Sequence, residues 1–283
     1  MKIYVSVDLE GLPGISTLSQ VAPGYPLYGD ARRIMTWIVN VLADEFSVLG
    51  VDDVVVADSH GFMANIDYID VDERVRLVQG YPRPFSMVLG VEEGFDAAMF
   101  IGYHAAAGTT GGFLEHTYSS RVIHRIYVNG ELASEYLLNA LYAGEHGVPV
   151  VLVAGDEHLR SQVEKHTPWA VFLPLKKGYG RLAAMYESKS LVEQKLRKAV
   201  REAVERLKRG KAQPLKPNGE LELRVELRDS LYADMAQLLP RAERLDAYTL
   251  RYRAYSARDA LAFVELVAWI GYAASAMMEK MRG

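Results

Sequence analysis

Short apolar runs alternate with helical periodicity through the first half of the chain. Residues 3–7, Ile-Tyr-Val-Ser-Val, read as a buried strand, and residues 54–57, 97–101 and 148–154 repeat the pattern. Residues 74–78, followed by Gly80, predict one more. A helix is predicted from Asp30, as N-cap, to about Leu49, with Ile34, Trp37, Ile38, Val41 and Leu42 on one face and Gly50 as its stop. Residues 123–128 run into Asn129-Gly130, a two-residue hairpin signal. Ser134 caps a predicted helix through about Tyr142. Strands separated by helices imply an α/β fold, with a mostly parallel sheet covered on both faces by helices.

The pattern shifts near residue 187. Residues 191–209 predict a charged amphipathic helix, whose Lys and Arg read as a solvated face. Pro214, Pro217 and Asn218-Gly219 break the chain. Residues 221–227 alternate apolar positions with Glu222, Arg224 and Glu226, a half-exposed strand, and residues 248–253 predict a second. Ser256 and Asp259 open the last long helix as a capping box with Asp in the Glu/Gln place. The organisation expected is a metal-binding α/β domain over 1–186 and a smaller C-terminal α+β subdomain over 187–283, beside it or packed into the same unit.

Composition narrows the function. At about 150 residues per domain, a chain of 283 residues suggests two domains or one large unit. Half of it is hydrophobic, which excludes a disordered chain. The absence of cysteine removes thiol catalysis, Cys-ligated zinc fingers and iron–sulfur clusters. A net charge of −4 argues against a nucleic-acid partner. The first apolar run meets Asp8 and Glu10 too early for a signal peptide. Residues 260–278 carry a single charge, Glu265, and a mid-helix carboxylate opposes membrane insertion by about 2.5–3.5 kcal/mol. That stretch reads as a helix buried in the core or at a subunit contact. The expectation is a cytoplasmic protein with no membrane partner.

The chemistry lies at the end of each apolar run. The first ends in Asp8-Leu9-Glu10-Gly11, the second in Asp58-Ser59-His60, the third in Gly102-Tyr103-His104, and a later one in Gly155-Asp156. Open α/β sheets place their ligand crevice at the carboxyl ends of strands, so these residues converge in space. If the strand continues, Asp8 and Glu10 share a face, with Cα atoms about 6–7 Å apart. Adjacent buried carboxylates repel and need compensation. Neutral imidazole with carboxylate is the donor set for zinc or a similar ion, and Glu135 supplies a third carboxylate. Two divalent ions and one hydroxide would balance the three, which suits a two-metal hydrolytic centre. Taken alone, Asp8 and Glu10 fit a helix cap or one magnesium site equally well. His124 reads as structural. His146, His158 and His166 sit at helix ends or turns, and Glu131 in the hairpin turn reads as solvated. No strand-borne GxGxxG, no GxxxxGK[ST] and no GxSxG elbow occurs.

Ser6-Val7-Asp8-Leu9-Glu10-Gly11 resembles the SxDxEG signature of the DppA-type D-aminopeptidases, a zinc metallopeptidase family. The likeness continues through Asp58-Ser59-His60, residues 84–88, Gly102-Tyr103-His104, Leu138-Asn139-Ala140 and residues 153–156. It spans nearly the whole chain and is densest over 1–156. The resemblance implies that Asp8 bridges two zinc ions, with Glu10 and His60 completing one and His104 and Glu135 the other. It implies that His116, in Glu115-His116-Thr117, is the catalytic histidine. It further implies a preference for D-amino acids at the N-terminus of short peptides, and a ring-shaped homo-decamer with the apolar final helix as a contact surface. The expectation is therefore a zinc-dependent aminopeptidase. A two-metal phosphoesterase or amidase is the alternative, and a basic phosphate clamp from Arg121, Arg125 and Lys177 would mark it. A non-catalytic peptide-binding transport-accessory protein with a structural metal is the alternative of another class.

Overall fold

A computed structural model describes residues 1–282. Seven strands form the first sheet: β1 (Lys2–Val7), β2 (Asp53–Asp58), β3 (Val75–Val78), β4 (Ala97–Tyr103), β7 (Val150–Asp156), β8 (Val171–Gly178) and β9 (Ala184–Met185). Their order is β3-β2-β1-β4-β7-β8-β9. All neighbours pair parallel except β8 and β9. The second sheet is antiparallel, with order β11-β12-β10-β5-β6. It is built from β5 (Ile123–Val128), β6 (Glu131–Leu132), β10 (Leu221–Leu227), β11 (Glu243–Arg244) and β12 (Thr249–Ala254). The mixed α/β architecture with a mostly parallel central sheet is the one expected. The second sheet draws strands from both sides of residue 187, and β5 pairs directly with β10.

The helices are α1 (Tyr28–Val48), α2 (Glu135–Glu145), α3 (Arg160–His166), α4 (Lys189–Lys208), α5 (Ser230–Ala236) and α6 (Ala257–Arg282). Central strands of a parallel sheet are buried on both faces, which is why they are apolar throughout. On one face Val5, Val7, Val56, Met99 and Ile101 meet Met35, Ile38 and Leu42 of α1 and Leu196 and Val200 of α4. On the other, Tyr4, Val55, Phe100 and Val153 meet Tyr136 and Ala140 of α2, and beyond them the second sheet. The Lys and Arg of α4 lie mostly at its exposed surface, as its amphipathic pattern predicts. By length and composition α6 could cross a membrane. Its first half instead buries Leu261, Val264 and Val267 in the core, while Leu266, Tyr272, Met277 and Met281 stay exposed.

Candidate metal centre and active site

The site opens at the carboxyl ends of β1 and β4. Strand order reverses between these two, which is where open α/β sheets hold ligands. The two chain segments touch. Gly102 has φ +77°, and a Cβ there would lie 2.0 Å from the Asp8 carbonyl oxygen. A Cβ on Gly11 would lie 2.2 Å from that of Tyr103. Only glycine permits this approach, and it brings Asp8 beside His104.

The strand ends at Val7, so strand geometry does not carry Asp8 and Glu10 to a shared face. A turn closed by Leu12 N–H to the Leu9 carbonyl (3.0 Å) brings Glu10 back instead. The carboxylates still converge on one imidazole. His60 Nδ1 lies 2.7 Å from Glu10 Oε2 and 3.4 Å from Asp8 Oδ1. Asp8 Oδ2 faces the other way, 3.4 Å from His104 Nε2, which is 3.3 Å from Glu135 Oε2. His116 stacks on His104 with ring centroids 4.3 Å apart, and its Nε2 is 3.6 Å from Glu135 Oε1. All six sequence-predicted residues therefore meet. They form two clusters, Asp8–Glu10–His60 and His104–His116–Glu135, each with donor atoms within 4.8 Å of one another.

Each histidine commits one nitrogen to a backbone carbonyl: His60 Nε2 to Val21 (2.6 Å), His104 Nδ1 to Ala105 (3.0 Å) and His116 Nδ1 to Leu114 (2.9 Å). A carbonyl only accepts, so that nitrogen carries the hydrogen and the other is turned inward, where its lone pair would be offered to a metal in place of a proton. This is the support that metal-ligating imidazoles receive. Asp8 Oδ2 and His104 Nε2 are buried without any hydrogen-bond partner, a cost of roughly 1–3 kcal/mol each if nothing compensates. Donors about 2.0–2.1 Å from a tetrahedral zinc ion lie roughly 3.3–3.4 Å from one another. The Asp8–His60, Asp8–His104 and His104–Glu135 separations have that spacing. The donor set fits zinc.

Electrostatics agree. Burial and the charge of Glu10 push the Asp8 carboxyl up to about 8. Burial would raise Glu10 and Glu135 as well, but the charges of His60 and His104 outweigh it and hold both below the usual carboxylate range. Burial disfavours the charged form of His104, yet Glu135 and Asp8 lift it to about 10. The three carboxylates thus hold any cation tightly, and a divalent ion competes with those protons for the same lone pairs. His116 differs: burial and the neighbouring charge of His104 lower its proton affinity.

Surrounding residues fix the centre. Glu135 opens α2, capped by Ser134, and Tyr118 N–H donates to its Oε1 at 2.6 Å. Asn139, one turn on, joins the hydroxyls of Tyr103 (3.0 Å) and Tyr118 (2.6 Å). Asp58 and Asp156 lie at strand ends but brace loops. Asp58 accepts from Asn65 and Ile66 N–H, and Asp156 accepts from Phe113 N–H (2.9 Å), at the base of the His116 loop. Lys176 belongs to no motif. Only 3% exposed, it donates from Nζ to the carbonyls of Glu10 and Ile15, both at 2.5 Å, and lies over the Phe113 ring. Its position at the end of the apolar run 171–175 is the signal that marks it. Tyr118, at φ +61°, supports Glu135 through its backbone N–H, a contact that no sequence pattern signals.

A cavity of about 570 Å³ opens over the centre, a volume suited to a small ligand. Its walls include Phe62, Met87, Leu114, Tyr118 and the stacked pair Tyr81–Trp269. Arg121 reaches this wall, as does Arg181, which no sequence pattern marks. Arg125 and Lys177 do not line it, so the phosphate clamp expected for a phosphoesterase does not assemble: Arg125 sits on β5 of the second sheet.

A doubly wound sheet with paired carboxylate–imidazole clusters at its switch point has the makings of a metal-dependent hydrolase. The D-aminopeptidase family model matches residues 1–266, and the chain belongs to that family. A D-aminopeptidase of Bacillus subtilis (strain 168) is 33% identical over 243 residues, covering 86% of this chain and 87% of that protein. The solved structure of the Zn-dependent D-aminopeptidase DppA from Bacillus subtilis, described as a self-compartmentalizing protease, superposes with a TM-score of 0.90. It is 30% identical, and the match covers 96% of this chain and 98% of that one.

Proposed function

We propose that this protein is a zinc-dependent aminopeptidase that removes the N-terminal residue, preferentially a D-amino acid, from short peptides. The observation that carries the reading is Asp8, whose two buried oxygens each face a different histidine at metal-ligand spacing. Asp8, Glu10 and His60 would hold one zinc ion and Asp8, His104 and Glu135 a second. Bound zinc supplies Lewis acidity, which polarises a carbonyl and acidifies water near neutral pH.

The chain's own residues do the rest. The apolar walls exclude water from the scissile bond and seat the side chains of the peptide. His116 is the proton carrier. Its Nδ1–H is spent on Leu114, so Nε2 is the atom that takes a proton and returns it to the leaving amine. Its lowered proton affinity keeps Nε2 free at neutral pH. We further propose a closed homo-oligomer, a decamer, in which the exposed apolar residues of α6 meet a neighbouring copy. Such an assembly would parallel the self-compartmentalizing relative.

The test is turnover by zinc-loaded and chelated protein across D- and L-aminoacyl p-nitroanilides, with a phosphodiester control. Zinc-dependent release from the D series is expected. Hydrolysis of the phosphodiester alone would replace this reading with the phosphoesterase.

A further inference from the structure

The cavity is electrically polarised along its depth, beyond what holding metal requires. The three carboxylates of the metal centre lie at the bottom, where Asp8, Glu10 and Glu135 are at most 6% exposed, and a fourth, Glu265 of α6, lines the wall. Among the described residues that line it, Arg121 and Arg181 are the only Lys or Arg, with side chains 42% and 46% exposed. They mark its open mouth. Neither guanidinium is used up. Arg121 pairs through Nη2 with Glu279. Arg181 uses Nη1 for the Glu115 carbonyl (2.9 Å) and carboxylate (2.8 Å). A guanidinium has five N–H donors, and solvent-exposed pairs of this kind hold their partners only weakly, so both can turn a free edge to another acceptor.

We propose that Arg121 and Arg181 form a carboxylate-recognition site at the cavity mouth, which selects short zwitterionic peptides bound with the ammonium inward and the C-terminal carboxylate outward. The proposal rests on the peptidase reading and names the substrate class of that same site. A carboxylate suits the planar donor edge of arginine better than any neutral group. An extended chain advances about 3.3–3.6 Å per residue, so a di- or tripeptide places its two charges roughly 7–11 Å apart.

The test compares a D-alanyl dipeptide with its C-terminal amide. The zinc-loaded wild type is expected to favour the free acid at least tenfold in kcat/KM, mainly through KM, with the preference shrinking as salt rises. Arg121→Gln and the Arg121→Gln/Arg181→Gln double variant should bring the ratio toward one. Because Arg181 also holds Glu115 beside His116, the ratio is the readout, not the rate. A wild-type ratio near one, or a ratio unchanged in the double variant, overturns the proposal. If the wild type cleaves neither peptide, the peptidase reading fails separately. Calorimetric binding of the two uncleaved peptides then decides: tenfold tighter acid supports the site, and equal affinity overturns it.

Discussion

His116 and Lys176 show two ways in which one side chain serves the centre. His116 is in the ligand cluster by distance but has the least affinity for a proton of the three imidazoles at the site. His116→Ala should therefore keep both the fold and the zinc while kcat/KM falls by roughly 10²–10⁴-fold, the contribution of a lost acid–base group. Metal analysis and kinetics on the same preparation check this, and lost zinc would instead make His116 a ligand. Lys176 never meets the substrate cavity. In Lys176→Met the buried carbonyls of Glu10 and Ile15 lose their donor, at about 1–3 kcal/mol each. The loop bearing Glu10 then loosens, and zinc affinity should drop by about 10–100-fold, as for other supporting partners of ligands. Chelator competition measures it. An unchanged zinc affinity would sink the positioning role.

At the scale of elements, the legible parts are those with local cause. Central parallel strands announce themselves as apolar runs, and the polar residues after them mark the crevice. That is why Asp8, His60 and His104 are legible in the sequence alone. Helix α1 is legible too, but not its start: it begins at Tyr28 after Leu27, with no side-chain cap, and Asp30 instead pairs with Arg33 in the first turn. Strand β8 is hidden because Pro174 sits inside its short apolar run, and a proline there argues against a central strand. The β5–β10 pairing depends on residues about a hundred apart in sequence, and no periodicity reports that. Helix α6 gives a prediction at this scale. Burial lifts its Glu265 to about 7, offset in part by Arg83, and the side chain accepts from Phe85 N–H at 3.0 Å beside Tyr81. Below pH 4.5 the carboxyl is neutral folded or unfolded. Above it the unfolded chain ionises first, so stability should fall as pH rises to 7, by about 3 kcal/mol at 1.36 kcal/mol per unit. Glu265→Gln keeps an acceptor without the charge. It should melt higher than wild type at pH 8 and alike near pH 4.5; equal melting at both would refute the cause.

For the whole molecule, the centre is a junction. Asp8, His60 and His104 follow strands of the first sheet, whereas Glu135 follows the β5–β6 hairpin of the second and His116 the loop leading into β5. Zinc at these donors would tie the two sheets together at the one place where three buried carboxylates otherwise repel. A ligand that binds only the folded state stabilises by RT ln(1 + [L]/Kd), about 4.1 kcal/mol at a thousandfold excess over Kd. Two such sites would contribute about 8 kcal/mol. At roughly 2 °C per kcal/mol for a chain of this size, stripping the metal should lower the melting temperature by on the order of 15 °C, and zinc should restore it. Asp8 is the only side chain that belongs to both ion sites in this arrangement, so Asp8→Ala should lose both ions together and melt near the stripped wild type with or without zinc. Glu10→Gln, at one cluster only, should retain about one ion per chain and fall between. Scanning calorimetry with metal analysis distinguishes these outcomes. Full metal content in Asp8→Ala would end the bridging role and leave two independent sites in its place.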